Sequence, residues 1–123
     1  MDYLSLDKLN AYKIAYELSN YVWDVVNEWN NFPKWTVGKQ FVEASDSISA
    51  NIAEGFGRYH KKDKIRHYRY SAGSTKECLD WTNKSIQRGL LNETQSSFIL
   101  KKLSALPKEI NHLIKYTNDH LKH

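Results

Sequence analysis

Apolar residues recur every three or four positions in four separate segments of this chain, and no segment alternates in the two-residue rhythm of a strand. That period matches the turn of an α-helix and gathers the apolar side chains on one face. The first segment carries Ala11, Ala15, Leu18, Val22, Val25, Trp29 and Phe32. Asp7 is its candidate start, with Asn10 three residues on. Asn30-Asn31-Phe32-Pro33 predicts its end, because a proline disfavours helix at the residue before it. The second segment runs from about Gly38 to Gly55, with Phe41, Ser45, Ile48 and Ile52 on its stripe. Gly55 or Gly57 is expected to close it in the left-handed conformation. The third runs from about Lys62 to Arg88, and Ile65, Tyr68, Ala72, Thr75, Leu79, Thr82 and Ile86 step along it without a slip. Asp63 near its start and Arg88 near its end suit the helix dipole, and Gly89 is placed to terminate it. The fourth begins near Asn92, where Gln95 completes a capping box. Its stripe is Ile99, Leu103, Leu106, Ile110, Leu113, Thr117 and Leu121. Pro107 lies inside that pattern and predicts a kink or a break.

Two prolines and five glycines leave little chain for turns. Four long amphipathic helices with short connections fold most simply as an all-α, antiparallel up-and-down four-helix bundle. Residues 1–123 are expected to form a single domain, without internal repeats or a low-complexity linker. No apolar run approaches the roughly 20 residues that span a bilayer. Met1-Asp2-Tyr3-Leu4 lacks the charged and apolar parts of a signal peptide. The single cysteine, Cys78, has no partner for an internal disulfide, which points to a reduced, cytoplasmic setting.

Charge is concentrated. Arg58, Lys61, Lys62, Lys64, Arg66 and Arg69 are six of the chain's 18 Lys and Arg and fall within 12 residues. Asp63 is the one acid there, so the window carries +5 and the rest of the chain −1 of the total +4. A confined positive field suggests a surface that meets an anion. Arg58, Lys62, Arg66, Arg69 and Lys76 would share one helical stripe, about 100° round from the Ile65 row. Tyr59 beside them could stack on an unpaired base. The structural alternative is a solvated face paired with the acids of the first two helices. Apolar surface is also in excess. Tyr12, Tyr16, Trp23 and Val26 form a second stripe on helix one, and Tyr70, Ser74 and Trp81 a second row on helix three. Tyr12, Tyr16, Trp23, Tyr70 and Trp81 are therefore candidates for a contact between copies of the chain, against the plainer reading of a wide core stripe.

Ser47-Ile48-x-Ala50-Asn51-Ile52-Ala53-Glu54-Gly55-Phe56-Gly57-Arg58 is followed by Ile65-Arg66-x-Tyr68, Ala72-Gly73-Ser74-x-x-Glu77 and Gly89-Leu90-Leu91. With these residues the chain resembles, over nearly its whole length, the four-helix-bundle intervening-sequence proteins. Many of these are encoded inside the large-subunit ribosomal RNA gene. The accessory variability protein of diversity-generating retroelements is similar. The resemblance implies an up-and-down bundle, a homopentamer with a central channel, nucleic-acid binding and no catalysis. Two departures stand out. Ser49 occupies a place where proline is common in the family, and Val42-Glu43 replaces a frequent Arg-Arg pair. The second departure leaves the start of helix three as the main basic element.

The remaining motifs read as structural. Glu54 is expected to pair with Arg58 or Arg66, and Asn51 to bond the backbone around Gly55–Gly57, rather than to serve as base or ligand. Gly73 beside Ala72 suggests a close helix contact. The five histidines fall at no metal-ligating spacing. Gly55-Phe56-Gly57 lacks the third glycine and preceding strand of a dinucleotide loop. Glu77 and Asp80 beside Cys78 oppose a thiolate. The expected function is a non-enzymatic, homo-oligomeric protein that needs no cofactor, metal or membrane and shows no small-molecule substrate. It binds RNA or single-stranded DNA through Arg58, Tyr59, Lys61, Lys62, Lys64, Arg66, Arg69 and Lys76. The alternative is an interaction scaffold whose basic helix docks an acidic protein.

Overall fold

A computed structural model describes residues 5–123; the reading of Met1-Asp2-Tyr3-Leu4 lies outside them. Asp7 falls in a short 3-10 turn, Leu6–Lys8, and is not the cap of the first helix. Helix α1, Asn10–Asn27, is preceded instead by Leu9, whose side chain is buried. Its inner face is Ala11, Ala15, Leu18, Val22 and Val25, as the spacing predicts, joined by Ser19 and by Val26, which belongs to the core and not to the surplus second stripe.

The stop signal at Pro33 belongs to the next helix. Asn30 is extended, and helix α2 occupies residues 31–57 in three stretches: an α turn Asn31–Pro33, a π turn Lys34–Gly38 and an α stretch Lys39–Gly57. Proline is tolerated in the first turn of a helix because the N–H it lacks has no partner there. The helix therefore starts earlier than Gly38, and the last two positions of the first stripe leave α1. Trp29 tucks back beside Phe41, ring centroids 6.3 Å apart, while Phe32 is 79% exposed. Gly38 sits where α2 meets α1; a Cβ on it would lie 2.6 Å from Val26 Cγ1.

Neither Gly55 nor Gly57 is left-handed, and α2 runs through both. Gly55 is glycine for another reason. A Cβ there would lie 2.6 Å from the Tyr68 ring and 2.9 Å from the Lys64 carbonyl. Gly73, the expected close contact, is exposed, and no described residue lies within 4 Å of such a Cβ. The close approach of α2 and α3 is thus made at Gly55.

Helix α3, Lys61–Gln87, buries Tyr68, Ser71, Thr75, Cys78, Thr82 and Ser85. Three of these were on the expected stripe, but Leu79 and Ile86 are 40% and 37% exposed. The helix is turned so that small hydroxyl residues face the core. Their polar groups are satisfied. Ser71 Oγ donates to the Ile48 carbonyl at 2.8 Å, and Thr75, Thr82 and Ser85 bond back to carbonyls one turn earlier at 2.7–2.9 Å. Satisfied hydroxyls cost little to bury and let the backbones approach. Gly89 (φ 72°) ends the helix. Its N–H donates to the Ile86 carbonyl and that of Leu90 to Ser85, the paired bonds of a Schellman motif.

Helix α4, Glu93–His120, opens with the expected capping box: Gln95 N–H donates to Asn92 Oδ1 at 2.8 Å, and Asn92 N–H to Gln95 Oε1 at 3.0 Å. Ile99, Leu103, Leu106, Ile110 and Thr117 are buried, with Leu113 and Leu121 half-buried. The helix is unbroken through Pro107, which is exposed.

The short links, residues 28–30, 58–60 and 88–92, reverse the chain each time. Each helix packs on its sequence neighbours, and α4 closes the ring on α1. Tyr21 stacks on Phe98 at 4.0 Å and Lys102 Nζ reaches Glu17 at 2.9 Å across that closure. The result is an all-helical, antiparallel up-and-down bundle with one central core.

Candidate nucleic-acid interface

An antiparallel bundle brings the start of α3 beside the ends of both α2 and α4. This placement decides what the basic window does. Cations at a helix N-terminus oppose its dipole, whereas cations at a C-terminus favour it. Lys61 and Lys64 resolve the conflict by reaching away from their own helix. Lys61 Nζ donates to the carbonyls of Asn118 and Leu121 at 3.0 and 2.9 Å, and its backbone N–H to the His123 carbonyl at 2.6 Å. Lys64 Nζ donates to the Phe56 carbonyl at 2.7 Å and to that of Gly55 at 3.4 Å, with the Phe56 ring 5.6 Å away. Burial pushes the Lys64 pKa down from its ordinary value. Two of the six clustered cations thus tie off neighbouring helices.

Arg58 lies outside α3, in the link, and pairs with Glu54 at 2.9 Å, one of the two pairings expected from the sequence. Arg66 pairs with Asp63 of its own helix at 3.0 Å. Both pairs are about half exposed, of the kind worth ~0–1 kcal/mol, so either arginine can exchange its carboxylate for a phosphate. Lys62, Arg69 and Lys76 are exposed and meet no carboxylate among the described residues. Asn51 bonds the Ser47 carbonyl at 2.9 Å, one turn back in its own helix, and not the Gly55–Gly57 backbone.

Lys61, Lys62, Arg66 and Arg69 line one shallow basin of about 680 Å³ between the start of α3 and the end of α4. Asp63, Ile65, Tyr70, Asn118, Lys122 and His123 complete it. Lys122 and His123 are additions that sequence reasoning missed. The charge of Lys122 was visible, but only the antiparallel register sets these two residues against α3. Tyr59 is 86% exposed and does not line the basin. Lys76 lines a different groove of about 540 Å³, between α3 and α4, with Leu79, Leu100 and Pro107.

The aromatic candidates divide. Tyr16, Trp23 and Tyr70 are 54%, 59% and 52% exposed. Tyr12 and Trp81 are half-buried against the core, and Lys84 Nζ covers the Trp81 ring at 4.5 Å. Trp23 borders an apolar groove of about 380 Å³ between α1 and α2, with Val26, Trp35 and Val42. Trp35, 68% exposed, extends this surface and was missed because it precedes the expected start of helix two.

Cys78 is fully buried, and its thiol is pushed up to about 12 by that burial, with Glu77 adding to the rise and a bond to Thr82 opposing it. Such a thiol is a poor nucleophile. Among the described residues no three His, Cys, Asp or Glu side chains gather to hold a metal, and no helix is long and apolar enough to cross a membrane.

Fold and site together define a small helical-bundle protein with an open basic basin at one end. A family profile described as "23S rRNA-intervening sequence protein" matches residues 7–112, most of the chain. The chain belongs to that family. A crystal structure from Bacteroides thetaiotaomicron, described as a protein with unknown function from the S23 ribosomal protein family, superposes with a TM-score of 0.80 at 20% identity. The match covers 90% of this chain and 99% of that one, and it shows the fold. Comparison with curated proteins finds no match.

Proposed function

We propose that this protein is a non-enzymatic, homo-oligomeric accessory protein of the cytoplasm that binds RNA or single-stranded DNA at the basin between α3 and α4. One observation carries this reading. Lys62, Arg66 and Arg69 of α3 and Lys122 of the segment just past α4 line one open concavity. Phosphates neutralised there release counterions, which supplies affinity without base reading. The family's name makes the 23S rRNA the first nucleic acid to try. One basin offers few contacts, so several copies acting on one strand raise the affinity, and a pentamer would present five. Arg58, in the link before α3, and Lys76, farther along α3, extend the charged track beyond the basin, while Lys61 and Lys64 act through the helix ends they hold.

The test is binding of a labelled RNA followed by fluorescence anisotropy across a salt series. Four phosphate contacts per site predict a log–log slope of about −3. Arg66→Glu combined with Arg69→Glu is expected to abolish binding while circular dichroism and light scattering stay unchanged. Binding that ignores salt, or that survives the double reversal, overturns the reading. A wild type that binds no nucleic acid at low salt does so too, and leaves an acidic protein as the partner of the same cations.

A further inference from the structure

Resting on the nucleic-acid reading of the basin, we infer that Tyr70 is its base-stacking platform and that the preferred partner is an unpaired strand rather than a duplex. Two exposed tyrosines stand at the two ends of the basic window, Tyr59 just inside it and Tyr70 just after it. Tyr59 is the more exposed, at 86%, but it lies in the link before α3 and outside the basin. Tyr70, 52% exposed, lines the same concavity as Lys62, Arg66, Arg69 and Lys122. Its ring is also held. His67, one turn earlier, meets it edge-on at 5.5 Å and 89°. The two buried His67 ring nitrogens meet no hydrogen-bond partner among the described residues, and the imidazole packs against the tyrosine.

A fixed aromatic face beside several cations is the combination that single-strand binders use, with bases stacking on the ring while the backbone follows the charge. A duplex keeps its bases stacked within itself and offers such a ring nothing. Ile65 adds apolar surface to the lining, and the basin's 680 Å³ falls in the ~300–1,000 Å³ range of pockets that seat small ligands. It is therefore large enough for a splayed nucleotide. Lys61 contributes by position. Its three bonds to Asn118, Leu121 and His123 hold the α4 end that brings Lys122 to the opposite wall.

The test compares three probes at low salt: a short single-stranded RNA, its duplex, and an abasic strand of equal length. Wild type is expected to favour the single strand over the duplex. Tyr70→Ala should weaken binding of the base-bearing strand by about 5- to 150-fold and leave the abasic strand unchanged, while Tyr70→Phe keeps wild-type affinity. Equal losses on both strands, or no loss on either, overturn the platform. A duplex bound as tightly as the single strand overturns the preference. If Tyr70→Ala lowers the mass measured by light scattering, Tyr70 belongs to a contact between copies and the inference is wrong. A protein that loses binding with Arg66→Glu and Arg69→Glu but not with Tyr70→Ala keeps the basin and loses only this inference. One that binds none of the probes loses both.

Discussion

Gly55 and Gly73 look alike in the sequence, each a glycine in a helical pattern, yet they do opposite things. At Gly55 a Cβ would press on the Tyr68 ring at 2.6 Å and on backbone at 2.9 Å, and backbone has nowhere to go. Gly55→Ala is expected to destabilise by about 1–3 kcal/mol through overpacking. At Gly73 the same methyl meets open space, and a helix interior prefers alanine. Gly73→Ala is expected to stabilise by up to ~1 kcal/mol. Chemical denaturation of the two variants checks both signs. The cations show the same divergence. Lys62 and Lys64 are equivalent on paper, but one faces solvent and the other is half-buried against the end of α2.

Element boundaries followed local chemistry where a cap fixes them and not where a proline was read out of context. Asn92, Gln95 and Gly89 behave as their spacing predicts, since capping needs only residues within a few positions. Pro33 gave the wrong boundary because the same residue can follow a helix or open one. Pro107 does neither, and α4 carries it through unbroken. It still removes one backbone bond and crowds the turn before it. Because its side chain is exposed, no core contact is lost on replacing it. Pro107→Ala is expected to stabilise by up to about 3 kcal/mol, read as a higher denaturant midpoint. A lower midpoint would mean that the proline ring supports the α3–α4 groove it lines.

Across the whole molecule, the outer face of α1 and α2 is left with more aromatic surface than one bundle covers. Tyr16, Trp23 and Trp35 are each more than half exposed, and Trp23 and Trp35 share one groove. Large exposed apolar surfaces commonly mark contacts between proteins. Light scattering is expected to give a mass several times the 14.4 kDa of one chain. Trp23→Lys is expected to shift that mass towards the monomer while helicity stays. A wild type that runs as a monomer at micromolar concentration would remove the assembly, and with it the gain in affinity from several basins on one strand.

The helix count, the all-α class, the inner faces of α1 and α4 and the caps around residue 90 were settled by the sequence itself. Each depends on spacing or on neighbours a few residues away, and such interactions are written in order along the chain. The motif from Ser47 to Arg58 pointed to the family for the same reason. The inner face of α3 was half legible: Tyr68, Thr75 and Thr82 stand on the expected row, but Ser71, Cys78 and Ser85 do not. A row of Ser, Thr and Cys reads as surface until a partner helix is close enough to reward small side chains and supply a carbonyl, as Ile48 does for Ser71. The basin was half legible. Its α3 cations form a visible run, but Lys122 lies more than fifty residues further on, and only the antiparallel closure of α4 on α3 brings it to them. Charge is a property of the residue, whereas a site is a property of which helix ends meet, and that was decided by the packing of the bundle.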